Sequence, residues 1–104
     1  MSSPTQRTLK KWRDAGYTAA VVEKWNSHAR CRQDLYGIID VLCVGHGETV
    51  GVQSTSGSNV STRIRKIEDS EVLAELRKSG WRVIVEGWRK KPNGRYECRE
   101  VDIS

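Results

Sequence analysis

Two apolar runs, GIIDVLCV over 37–44 and TVGVQST over 49–55, are separated only by GHGE, and no other stretch restricts the fold as much. β-branched residues crowd both runs, so each reads as a strand, and the Gly-bearing connection makes them an antiparallel hairpin. A four-residue loop over 45–48 sets Val44 against Thr49, and counting back sets Asp40 against Gln53. Directly opposed side chains share a face, with Cβ atoms about 4.5–5.5 Å apart. Alternation then adds Thr55 to that face and turns Val41, Cys43, Val50 and Val52 to the other. A three-residue loop would instead pair Asp40 with Val52, so the convergence of acid and amide depends on the turn.

The rest of the chain supplies elements to cover such a hairpin. Ser3 before Pro4 is an N-cap followed by proline at the first helical position, and Gly16 is the stop; Leu9 and Trp12 face inward. Residues 17–25, YTAAVVEKW, read as a strand on the strength of Val21 and Val22, and 26–35 as a polar, basic loop. After SGSN, where Ser58 or Asn59 can cap, Val60, Ile64 and Ile67 recur at helical spacing, with Asn59, Arg63 and Lys66 on another side. A second helical piece over 70–80 turns Val72, Leu73 and Leu76 inward, with a bend near Asp69 and Ser70. Two strands follow over 81–90 and 95–103, joined through Asn93-Gly94, a two-residue hairpin signal that opposes Lys90 to Glu97. The order is helix, three strands, split helix, two strands: one α/β domain over 1–104 with a mixed sheet covered by helices.

At 104 residues the chain holds one core and not two. No apolar stretch approaches the roughly 20 residues that span a bilayer, and the first 11 residues lack the apolar centre of a secretory signal, so the expectation is a soluble, cytoplasmic protein without a membrane partner. Three widely spaced cysteines argue against a disulfide framework. His28, Cys31, Cys43 and His46 form an H-x-x-C and a C-x-x-H pair that zinc could use. Cys43 lies inside a strand-like run, however, whereas structural zinc pairs usually sit on knuckles or loops. A net charge of +5 favours an anionic partner.

A carboxylate on a covered sheet face is costly unless it is paired, hydrogen-bonded or bound to a cation. Asp40 offers a carboxylate, Gln53 a carbonyl oxygen and Glu23 a further carboxylate, for which Asp34 could substitute; together they make an oxygen donor set of the kind magnesium takes. Arg63 and Lys66, early on the following helix, are positioned to steady a phosphate. Each residue also has a blander reading. Asp40 could be a strand-end surface acid, Gln53 a satisfied amide and Glu23 half of a solvated pair with Lys24, while Arg30, Arg32, Arg63, Arg65 and Lys66 taken singly are surface charges. Trp12, Trp25, Trp81 and Trp88, in a chain with no Phe, are expected mostly to fill the core rather than to stack on bases.

Asp40, the hairpin, Gln53-Ser54-Thr55 and a helix carrying RIRKI resemble the PD-(D/E)XK nuclease superfamily. The stretch RQDLYGIIDVLCV to VQSTSGSNVSTRIRKI resembles small phage-type members related to Holliday junction resolvases, and the likeness runs from Gly16 to the final strand. The resemblance implies a restriction-endonuclease-like fold and hydrolysis of phosphodiester bonds in DNA, including branched or structured DNA, with Mg2+ or Mn2+. Asp40, Gln53 and Glu23 would hold the ion and a cation would assist the attacking water. Thr55 stands where the superfamily has its lysine, so that charge must come from another element: Lys66 first, then Arg63, with Arg65 behind them. Arg30, Arg32, Ser58 and Asn59 complete the expected nucleic-acid contacts, the last two as a helix N-terminus that attracts phosphate. Junction-cutting members act as pairs, which leaves a homodimer open, although no stretch of the sequence marks a dimer face. The competing reading is a nuclease-like fold that has lost cleavage and binds nucleic acid or protein.

Overall fold

The computed structural model describes residues 3–104, the Arg32 side chain excepted, so the contact expected of Arg32 lies outside the described residues. The first helix, α1 (Pro4–Asp14), starts where Ser3 Oγ accepts the Gln6 N–H at 3.2 Å. It ends before Gly16, whose φ of 95° only glycine adopts freely. The chain continues through β1 (Thr18–Val21), β2 (Lys24–Asn26), β3 (Cys31–Gln33), β4 (Val41–Gly45) and β5 (Glu48–Ser56). A 3-10 turn (Gly57–Asn59), α2 (Val60–Glu68), α3 (Val72–Lys78), β6 (Arg82–Lys90) and β7 (Tyr96–Asp102) complete it. Five strands form one mixed sheet in the order β1-β4-β5-β6-β7, in which only β5 and β6 run parallel, joined by the α2–α3 crossover. The fold is thus an α/β domain with a five-stranded mixed sheet and three helices.

The central hairpin has the expected register, Val44 opposite Thr49 and Val41 opposite Val52, but a shorter turn. Gly45 pairs with Glu48, leaving His46 and Gly47 as a two-residue loop with φ of 52° and 75°, the type I′ geometry that matches strand twist. Dropping two residues from an assumed four-residue loop adds one pair to the ladder and shifts nothing else. The expected strand over 17–25 is interrupted: β1 joins the main sheet, whereas β2 pairs with β3 in a separate two-stranded ribbon. The segment 26–35 is accordingly not all loop. Asn26 Oδ1 accepts the N–H groups of His28 and Ala29 at 2.9 and 3.1 Å, an Asx turn that reverses the chain into β3.

The last hairpin departs from its expected register, with Arg89 opposite Glu97 and Lys90 opposite Tyr96. Pro92 is the reason. A two-residue Asn-Gly loop would need Pro92 as a paired strand residue, yet it has no N–H to donate. Lys91 N–H instead bonds Arg95 O, and the loop widens to Pro92, Asn93 and Gly94, the last at φ 85°. At the start of α2, neither Ser58 nor Asn59 caps the helix; the Asn59 amide donates to Ser56 Oγ at 2.9 Å, and the 3-10 turn leads the chain in.

Each sheet face has its own core. Leu9 and Trp12 of α1 cover Ala19, Val41, Cys43, Val50, Val52 and Ile84. On the other face Val60, Ile67, Leu73 and Leu76 of α2 and α3 cover Ile38, Ile39, Val83 and Val85. Trp12 is buried and Trp81 and Trp88 half-buried, whereas Trp25, on the small ribbon, is 64% exposed. At Gly87 the sheet and the 3-10 turn approach closely: a Cβ there would overlap Val60 Cγ2 and lie 3.2 Å from Gly57 Cα. Gly87→Ala is therefore expected to destabilise the protein by roughly 2 kcal/mol or more, read from the denaturant midpoint. Among the described residues no helix is long and apolar enough to cross a membrane.

Between α1 and the sheet lies a polar cluster that alternation along the strand does not reveal. Glu86 of β6 is fully buried. It receives Thr8 Oγ1 at 3.0 Å and Trp12 Nε1 at 3.2 Å and is ion-paired with Lys11. Thr8 Oγ1 also accepts Trp88 Nε1 at 2.9 Å and lies 3.0 Å from Ser54 Oγ. A hydroxyl has one proton, so the set is satisfied when Thr8 donates to Glu86 and Ser54 donates to Thr8.

Candidate functional site

Asp40 immediately precedes β4 and is fixed through its backbone on both sides. Its N–H donates to Val52 O at 3.1 Å, and its carbonyl accepts Val22 N–H at 2.9 Å. The second bond brings Glu23, the next residue along, beside Asp40. Asp34 arrives by a tight reversal in which Leu35 N–H donates to Ile39 O at 2.8 Å and Gly37 N–H to Asp34 O at 2.9 Å. Tyr36 and Gly37 both take positive φ, 54° and 76°, to make that reversal. One carboxylate oxygen from each of Glu23, Asp34 and Asp40 lies within 4.8 Å of the others. At that spacing two ionised carboxylates repel by roughly 3 kcal/mol in an effective dielectric of about 20.

The Asp40 side chain is 3% exposed. Ser54 N–H donates to it, 3.1 Å from either oxygen, and Gln53 Nε2 donates to Oδ2 at 3.0 Å. Burial pushes its carboxyl up from 3.8 to about 7; the Ser54 N–H opposes this, the neighbouring Asp34 and Glu23 reinforce it, and Arg63 pulls it back. Gln53, 2% exposed, spends its amide nitrogen on Asp40, and its Oε1 has no hydrogen-bond partner among the described residues. With Asp40 ionised, turning the amide over would set oxygen against its carboxylate, so it is the ionised state that fixes this orientation. A buried carbonyl oxygen left unpaired costs about 1–3 kcal/mol. Three carboxylates and one such oxygen make an all-oxygen donor set, which suits a hard divalent cation such as Mg2+ or Mn2+ better than zinc or copper.

These groups open into a cleft of about 820 Å³. Gln33 and Tyr36 line it together with Asn59, Arg63 and Lys66 of the α2 region and Pro4 and Thr5 at the start of α1. Lys66 Nζ stands 3.9 Å from Asp34 Oδ2. Of the residues singled out from the sequence, Asp40, Gln53, Glu23, Thr55, Asn59, Arg63 and Lys66 all line this cleft. Arg65 and Ser58 are exposed and do not line it, and Arg30, exposed with φ of 51°, sits in the turn between β2 and β3. Asp34, which the sequence offers only as a substitute for Glu23, joins Glu23 at the cluster instead. Tyr36 and the α1 terminus were not anticipated at the cleft; the Tyr-Gly pair following Asp34 was the available turn signal.

The four zinc-capable side chains gather into no shared site among the described residues. Cys43 is packed under α1, where burial pushes its thiol up to about 12, while Cys31 is exposed on the small ribbon and the His46 ring lies tilted against Tyr17 at the hairpin turn. No family model matches the chain, and no curated protein matches its sequence.

Proposed function

We propose that the chain is a divalent-metal-dependent nuclease of the PD-(D/E)XK type, with a restriction-endonuclease-like fold, that binds DNA and hydrolyses its phosphodiester bonds. The observation that carries this reading is the unpaired, buried Oε1 of Gln53, a residue that lines the same cleft as three converging carboxylates. The mixed sheet with helices on both faces is compatible with it. Asp40, Asp34, Glu23 and Gln53 would hold Mg2+ or Mn2+. The ion, when bound, would supply an activated water and offset charge on the phosphate. Ser54 N–H holds the Asp40 carboxylate in place, and Gln53 Nε2 fixes its rotation. Arg63 and Lys66, which line the same cleft, would meet the phosphate and substitute for the charge that Thr55 lacks.

A second reading, a nuclease-like domain that binds nucleic acid without cutting, is favoured by one feature. Thr55 is 5% exposed and uncharged at the position where the superfamily carries lysine. The test is incubation of the full chain with plasmid and four-way-junction DNA in Mg2+ or Mn2+, with EDTA and Gln53→Ala as controls. Ion-dependent cleavage that Gln53→Ala reduces at least tenfold is the expected result. Salt-sensitive binding without cleavage in either ion would transfer the protein to the second reading.

A further inference from the structure

Tyr36 is 56% exposed and lines the cleft two residues from Asp34, yet nothing in the fold needs a large ring there. Its backbone sits at φ 54°, a region that costs a bulky residue about 1–2 kcal/mol and that glycine occupies freely. The neighbours hold the ring's tether rigid: Leu35 and Ile39 bridge across the reversal, and Ile38 and Ile39 are buried at 2% and 0% exposure. The sequence thus keeps an aromatic ring at the cleft wall on a stiff turn, two residues from Asp34, in a cleft that Arg63 and Lys66 also line. A cleft of about 820 Å³ falls in the range that accepts small organic ligands of nucleotide size.

We propose that this cleft receives an unpaired nucleotide of single-stranded DNA, its base stacked on Tyr36 and its phosphate beside Arg63 and Lys66. The inference rests on the nuclease reading and narrows its substrate to DNA with unpaired bases. A base inside a duplex has both faces covered by its neighbours and shows a protein only its edges, whereas an unpaired base offers a face to an aromatic ring. Stacking tolerates any base, since each has a π-face, so the site would select strand structure rather than sequence.

The experiment measures binding of a short single-stranded oligonucleotide carrying 2-aminopurine, in Ca2+ to hold cleavage off, with a blunt duplex of equal length for comparison. The wild type should quench the fluorophore, and Tyr36→Ala should weaken single-strand binding roughly tenfold and abolish the quench. Tyr36→Phe and Tyr36→Trp should retain both. Tyr36→Gly should lose binding while matching or exceeding wild-type stability, because it relieves the backbone. Duplex binding and Mn2+ binding, measured by calorimetry, should be the same in all four variants. Equal single-strand affinity for Tyr36→Ala and wild type, with Mn2+ still bound, would overturn the inference alone; absence of Mn2+ binding by the wild type would overturn the nuclease reading beneath it.

Discussion

Asp40→Asn is expected to eliminate Mn2+ binding and ion-dependent cleavage while leaving a folded protein at least as stable as the wild type at neutral pH. The amide can still accept Ser54 N–H, so the backbone at the sheet entrance keeps its partner. What it removes is the charge. Burial raises the Asp40 carboxyl from 3.8 to about 7, so the folded state prefers the protonated acid. Its stabilising contribution is complete below pH 4, declines as the unfolded chain releases its proton more readily, and is gone above about pH 7. The difference amounts to something on the order of 4 kcal/mol. Thermal unfolding without metal should therefore show the wild type losing stability between pH 4 and pH 7 relative to Asp40→Asn. Cation binding displaces the same proton, so wild-type Mn2+ affinity should fall about tenfold per pH unit below 7. A metal-free wild type that is equally stable relative to the variant across this range would refute the argument.

Lys11→Met carries the second large effect. Glu86 is fully buried, and burial raises its carboxyl while Lys11, Thr8 and Trp12 hold it in place. Removing the counter-charge strands a carboxylate, a change that costs 3–5 kcal/mol for wholly buried pairs. Lys11 is 37% exposed and already partly solvated, so a loss of about 2–3 kcal/mol is expected at pH 8. Because the raised carboxyl of Glu86 protonates more readily in the folded state, the loss should shrink at pH 5. Adding Glu86→Gln to Lys11→Met should recover most of the stability at pH 8, since the amide needs no counter-ion. A double variant no more stable than Lys11→Met would mean that Lys11 acts through packing on Trp12, 5.4 Å from its ring, rather than through Glu86.

How far the sequence disclosed these features follows from how local each one is. The meeting of Asp40 and Gln53 was legible because strand alternation has a period of two and the turn between them is short; even a wrong loop length left the register unchanged. The place of Asp34 was less legible. It depends on left-handed backbone at Tyr36 and Gly37 and on a ribbon of three-residue strands too short to show any alternation. The Asn-Gly signal misplaces Lys90 against Glu97 because Pro92 beside it cannot pair and widens the loop to three residues. Glu86 was illegible, since its partners Lys11 and Trp12 stand 75 and 74 positions away. Nothing near it in the chain distinguishes a charged residue facing water from one covered by a helix.

The union of Thr8 with Trp88 spans 80 positions. During synthesis α1 emerges before any strand, and Leu9 and Trp12 can settle on β4 and β5 well before β6 leaves the ribosome. Until then Thr8 and Lys11 have neither Glu86 nor Trp88 to bind. Contacts this distant in sequence form slowly. A nascent chain halted before residue 86 should consequently hold its first helix loosely and yield it to a protease, and protection there should arrive only with the arrival of the penultimate strand.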